Sequence, residues 1–139
     1  MNYLLDTNVI SELTKRAPNA KVLHWIERHH ENSLFLSVIT FGELQKGISK
    51  LSDETMTDQL QTWIHVDLTK RFEHRILPLS LDVLSTWGRL VGASEKKGIK
   101  LPVMDSLIAA TAMTHDLIVV TRNVSDFENG QVRVENPWT

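Results

Sequence analysis

Tyr3-Leu4-Leu5-Asp6-Thr7-Asn8 runs an apolar stretch straight into an acid. A helical pattern begins at once, with Val9, Ile10 and Leu13 recurring at the spacing of one helix face. A short buried strand that turns directly into a helix is the opening of an α/β unit. The same pattern recurs further along. Leu34-Phe35-Leu36-Ser37-Val38 reads as a second strand, followed by a helix over Thr40–Leu51. Arg75-Ile76-Leu77-Pro78-Leu79 is a third strand that Pro78 ends near a sheet edge, and Leu81–Lys97 is helical with Gly98 fitting a C-cap. Leu101-Pro102 leads into a helix over Val103–His115. Leu117-Ile118-Val119-Val120 is the clearest strand, continuous and rich in β-branched residues.

Two further helices complete the pattern. Ala17-Pro18-Asn19 breaks the first helix and precedes one over Ala20–His30. Ser52 is placed to cap a long helix that runs to about Phe72, and the alternation over Gln131–Glu135 predicts a last edge strand. Strands alternating with helices predict a mostly parallel sheet of four to five strands, covered by helices on both faces. No repeat or linker divides the chain, so one domain over residues 1–139 is expected.

Composition narrows the function. With 139 residues, 42% hydrophobic and 23% charged, the chain matches an ordinary globular protein able to bury one core. No apolar run approaches the roughly 20 residues of a membrane span, and no signal peptide is visible, which predicts a cytoplasmic protein with no membrane partner. The absence of cysteine excludes disulfides and thiolate metal sites. Net charge is −2, so any nucleic-acid binding must rest on a local basic patch or on metal ions.

The acids carry the chemistry. Asp6 follows the first strand, Glu43 lies early in the helix after the second, Asp105 opens the Val103 helix, and Asp126 follows the last strong strand, near Asn123. Each alone reads as a helix cap or dipole partner. Together they crowd the carboxyl ends of the strands, where open α/β sheets bind ligands. Clustered carboxylates repel unless a cation neutralises them, and Mg²⁺ and Mn²⁺ prefer such oxygen ligands with waters and substrate phosphates. That combination points to hydrolysis of a phosphodiester.

Leu5-Asp6-Thr7-Asn8, Thr40-Phe41-Gly42-Glu43-Leu44, Asp105-Ser106-Leu107-Ile108-Ala109-Ala110-Thr111-Ala112 and Thr121-Arg122-Asn123-Val124-Ser125-Asp126-Phe127 occur in the order of the PIN-domain ribonucleases. The chain resembles the VapC toxins of type II toxin–antitoxin systems, including their FitB-like branch, which also matches the ending Asn136-Pro137-Trp138. The resemblance implies a PIN-like α/β/α sandwich and a Mg²⁺- or Mn²⁺-dependent endoribonuclease acting on tRNA or rRNA. It implies Asp6 and Asp105 as the principal metal ligands. Glu43 would bind the metal or orient its water, and Asp126 would be the fourth acid, acting through water or on a second ion. Asn123 stands where some relatives carry Asp, as a neutral neighbour. Thr7, Asn8 and Thr121 are supporting candidates. A VapB-like antitoxin, a homodimer and a toxin–antitoxin hetero-oligomer follow from the same resemblance.

Rival readings fail on particular residues. A phosphoaspartate hydrolase needs D-x-D, and Asn8 occupies the second position. A receiver domain needs a phosphoacceptor Asp after a central strand, where Ser37-Val38 stands. A PIN-like module that only binds RNA or a protein remains the non-enzymatic alternative. Lys96, Lys97 and Lys100 form one candidate basic patch, and Lys70, Arg71 and Arg75 a second. His29-His30 reads as a helix end in solvent, and Trp25, Trp63 and Trp87 as core or interface residues.

Overall fold

A computed structural model describes residues 1–127 and 132–139. Five parallel strands lie in the order β3-β2-β1-β4-β5. They are β1 (Tyr3–Leu5), β2 (Leu34–Ser37), β3 (Ile76–Leu77), β4 (Ile118–Val120) and β5 (Val134–Glu135). Tyr3 pairs with Leu34 on one side and with Ile118 on the other, so the first strand made is the centre of the sheet.

Residue parity decides what each face packs against. Tyr3, Leu5, Leu34, Leu36, Ile118 and Val120 point to one core, and Leu4, Phe35, Val119 and Val134 to the other. The first core is filled by α1 (Thr7–Leu13), α2 (Ala20–Glu27), α3 (Val38–Ser49) and the long helix that follows. That helix is α4 (Glu54–Thr62), a π-helical stretch (Trp63–Leu68) and α5 (Thr69–Arg71). Its buried residues Ile64, Leu68 and Phe72 recur every fourth position. The second core is filled by α6 (Leu81–Lys96) and α7 (Val103–His115), where Ala109 and Ala112 let the helix sit close to the sheet. The result is the α/β/α sandwich expected from the sequence. Among the described residues no helix is long and apolar enough to cross a membrane.

Element ends shift for local reasons. Ser37 accepts the Ile39 N–H at 3.0 Å, so the helix starts at Val38, which the sequence pattern assigns to the strand. Asp53 caps α4 in place of Ser52, accepting the Met56 N–H at 3.1 Å. Gly98 follows α6 at φ 76, the left-handed geometry that a helix end favours in glycine. The predicted last strand shortens to Val134–Glu135, and its expected start at Gln131 lies outside the described residues.

Two expectations about surface residues are corrected. His29 does not end a helix in solvent: it is half-buried and stacks on Trp25 with ring centroids 3.8 Å apart, edge-on to Tyr3. Arg71 and Arg75 are not a free basic patch. Arg71 Nε donates to Glu31 Oε1 at 2.8 Å, and Arg75 Nη1 donates to the carbonyls of Glu31 and Leu34, each at 2.6 Å. They fasten the amino ends of β2 and β3, far along the strands from the carboxyl-end acids.

Candidate active site

Strand order reverses beside β1. The chain steps from β1 out to β2 and β3, then returns to place β4 on the other flank. A crevice opens at such a reversal, beyond the carboxyl ends of the two diverging strands. Asp6 stands on one lip, immediately after β1, and Thr121, Arg122 and Asn123 on the other, immediately after β4.

Asp6 is buried and held at both oxygens. Oδ1 accepts the Thr7 N–H at 2.8 Å, the N-cap bond of α1, and Oδ2 accepts the Thr121 hydroxyl at 2.8 Å. The cap reading and the site reading of Asp6 therefore hold together. Asn8 Nδ2 donates to Thr121 Oγ1 at 3.1 Å, and Asn8 Oδ1 accepts the Arg122 N–H at 3.3 Å. Thr121 Oγ1 also accepts the Asn123 N–H at 3.1 Å. Thr7, Asn8 and Thr121 thus form one polar frame across the crevice.

Glu43 comes from α3. The Thr7 hydroxyl donates to Glu43 Oε1 at 2.5 Å and lies 3.2 Å from the Thr40 hydroxyl, so Thr7 links Asp6 to Glu43. Asp105 is half-buried in the first turn of α7. Trp87 Nε1 donates to Ser106 Oγ at 2.9 Å and the Thr114 hydroxyl to Thr86 at 3.0 Å, which fixes α7 against α6 and so fixes Asp105.

Asp6, Glu43, Asp105 and Asn123 line one cleft of about 380 Å³. Asp126 does not line it: the residue is exposed on the turn Val124–Phe127, near enough for its charge to reach the cleft. Burial raises the Asp6 carboxyl above the ordinary carboxylate value, opposed by the Thr121 and Thr7 bonds and reinforced by Glu43 and Asp126. Asp105 is pushed up to about 6, first by burial and then by the charges of Asp6, Asp126 and Glu43. Among the described residues no three His, Cys, Asp or Glu side chains converge tightly enough to chelate an ion outright. The acids ring the cleft without closing on its centre. Hard oxygen donors in mutual repulsion, with room for water, suit a cation that keeps part of its hydration, as Mg²⁺ does.

Five further residues, Ser11, Glu12, Lys15, Arg122 and Trp138, line the cleft without having been given a site role from the sequence. Glu12 is only 5% exposed and accepts Lys15 Nζ and the Asn19 N–H, each at 2.9 Å. Lys15 first, and the Asn19 N–H second, hold its carboxyl below the ordinary value. Its i,i+3 spacing to Lys15 was a readable signal. Arg122 places its guanidinium 5.3 Å from the centre of the Trp138 ring, a pairing across the chain that no local pattern announces.

Comparison with known proteins identifies the family. The PIN-domain profile matches residues 3–129. VapC ribonuclease Y4jK of Sinorhizobium fredii is 35% identical, covering 97% of this chain and 96% of its own. Toxin FitB of Neisseria gonorrhoeae is 34% identical, with 97% of each chain covered. The crystal structure of FitAcB from Neisseria gonorrhoeae superposes with a TM-score of 0.91 at 34% identity, covering 98% of each chain. The chain therefore belongs to the PIN-domain family, in its VapC-type toxin branch.

Proposed function

We propose that this VapC-type ribonuclease toxin cuts RNA with a Mg²⁺ or Mn²⁺ ion held chiefly by Asp6 and Asp105. The observation that carries this reading is the cleft at the sheet reversal, which Asp6, Glu43 and Asp105 all line. Asp6 Oδ1 accepts only the Thr7 N–H and keeps a lone pair for the cleft, whereas Oδ2 accepts both the Thr121 hydroxyl at 2.8 Å and Asn8 Nδ2 at 3.5 Å. Glu43, steadied by Thr7, accepts a proton or a hydrogen bond from the attacking water. Asp126 acts through water or on a second ion from its exposed turn, and Asn123 is a neutral neighbour. Held by Asp6 and Asp105, such an ion would supply activation of that water and stabilisation of charge on the phosphodiester. Raised carboxyl values make ion binding pH-dependent, because the carboxyls must lose their protons before they can hold the cation.

The substrate is a structured RNA, with loops of tRNA or rRNA as the class. The chain acts in the cytoplasm as one PIN domain over residues 1–139, as a homodimer and in a hetero-oligomer with a VapB-like antitoxin. The test is RNA-end mapping with purified chain in Mg²⁺, in Mn²⁺ and in EDTA. Discrete new ends in either metal, absent in EDTA, are expected. Intact RNA under all three conditions sinks the nuclease and leaves a binding module.

A further inference from the structure

The acidic cleft has a basic neighbour. A groove of about 790 Å³ lies between α2 and the carboxyl-terminal segment, lined by Lys21, His24, Trp25 and Arg28 on one side and Glu135–Pro137 and Thr139 on the other. Both of its walls continue into the cleft. The carboxyl-terminal segment supplies Trp138 to the cleft and its sequence neighbours to the groove. On the other wall, Glu12 lines the cleft and accepts the N–H of Asn19, the residue that caps α2.

Charge separates the two. The cleft gathers Asp6, Glu43 and Asp105, whereas the groove carries Lys21 and Arg28, both exposed and, among the described residues, in no ion pair. The groove's one acid, Glu135, accepts the Trp25 indole N–H at 3.1 Å. At the boundary stand a cation and an aromatic ring, Arg122 over Trp138.

An acidic site does not by itself attract a polyanion, so a strand needs cations beside it. We propose that the RNA strand leaves the cleft across the Arg122–Trp138 pair and continues along the α2 groove, its phosphates against Lys21 and Arg28. Single-stranded RNA is bound in this way, by a basic track with an aromatic surface for a base. This inference rests on RNA being the substrate, and it deepens that reading by giving the strand a direction.

Binding is measured apart from cleavage, by fluorescence anisotropy of a labelled 16-nucleotide single-stranded RNA in EDTA. Lys21→Gln with Arg28→Gln is expected to bind about five- to tenfold more weakly. The slope of log affinity against log salt should fall by about 1.4, the share of two phosphate contacts on a single strand. The loss should shrink as the oligonucleotide is shortened. Lys50→Gln with Arg89→Gln, an equal loss of exposed charge outside both grooves, should bind as the wild type does. Equal losses in the two double variants, an unchanged salt slope, or a hexaglutamate peptide competing as strongly as RNA overturns the track. Failure of the nuclease reading is separate: it shows as intact RNA in Mg²⁺, whatever the anisotropy reports.

Discussion

The two ends of the sheet treat charge in opposite ways. At the amino ends of β2 and β3, Glu31 meets Arg71 and Arg75, and its carboxyl is held below the ordinary value, first by the Arg71 bond. At the carboxyl ends, Asp6 and Asp105 are raised by burial and by like charges. One end spends its charges on holding strands together. The other keeps charges uncompensated, which costs stability and leaves a site ready for a cation. Paired and unpaired charges are thus placed at opposite ends of the same sheet.

The largest expected effect strikes the carboxyl end. Asp6→Ala or Asp105→Ala should lower single-turnover RNA cleavage in Mg²⁺ by about 10² to 10³, the scale of losing one electrostatic group at a reacting centre. The circular-dichroism spectrum should stay that of the wild type. If both variants cut at the wild-type rate, the site has been misplaced.

At the other end, Arg75→Ala should leave cleavage intact and cost about 2–3 kcal/mol in urea unfolding, because it strips a donor from the partly buried carbonyls of Glu31 and Leu34. Arg75 also loses its place over Phe72, 4.9 Å from the ring centre. An unchanged unfolding midpoint would erase the contrast between the ends.

Asp105→Asn gives the opposite sign. Without metal at pH 7 it should stabilise by about 1 kcal/mol, after allowance for solvent screening of a half-exposed group. A carboxyl raised to about 6 takes up its proton more readily folded than unfolded, so the wild type gains stability as pH falls through 6 towards 4. In thermal melts with EDTA that gain should be reduced in Asp105→Asn. A melting curve with the same pH slope in both proteins would remove Asp105 as its source.

Glu31→Gln closes the series with the smallest effect, about 0.5–1 kcal/mol for a partly exposed pair. The Glu31 carboxyl is lowered, so its contribution is present above the ordinary value and is lost as pH falls through the folded value. The variant and the wild type should therefore converge in acid. Divergence in acid would show that the pair is not the source.

Much of this was legible in the sequence. The strand-to-helix junction at Asp6 and the helices that carry Glu43 and Asp105 follow from apolar periodicity, and the fold brings all three to one cleft. The polar frame was only partly legible. Thr7, Asn8 and Thr121 could be named, but the Thr7–Glu43 and Asn8–Arg122 bonds join residues brought together by strand order. Asp126 was named for the same cleft, yet its turn holds it exposed beside it. The basic residues misled for the same reason. Local spacing grouped Lys70, Arg71 and Arg75 as a patch, but Glu31 and the Leu34 carbonyl, distant in sequence, engage both arginines. His29 was misplaced because only the fold reveals that Trp25 and Tyr3 offer it rings.

The bond from Thr121 to Asp6 spans 115 positions of sequence. A ribosome making this chain therefore releases the first acid long before its partner exists. At about 5–20 residues per second, roughly 6 to 23 seconds separate the two. A nascent chain therefore carries an unpaired, unframed Asp6 until β4 and the turn after it have emerged.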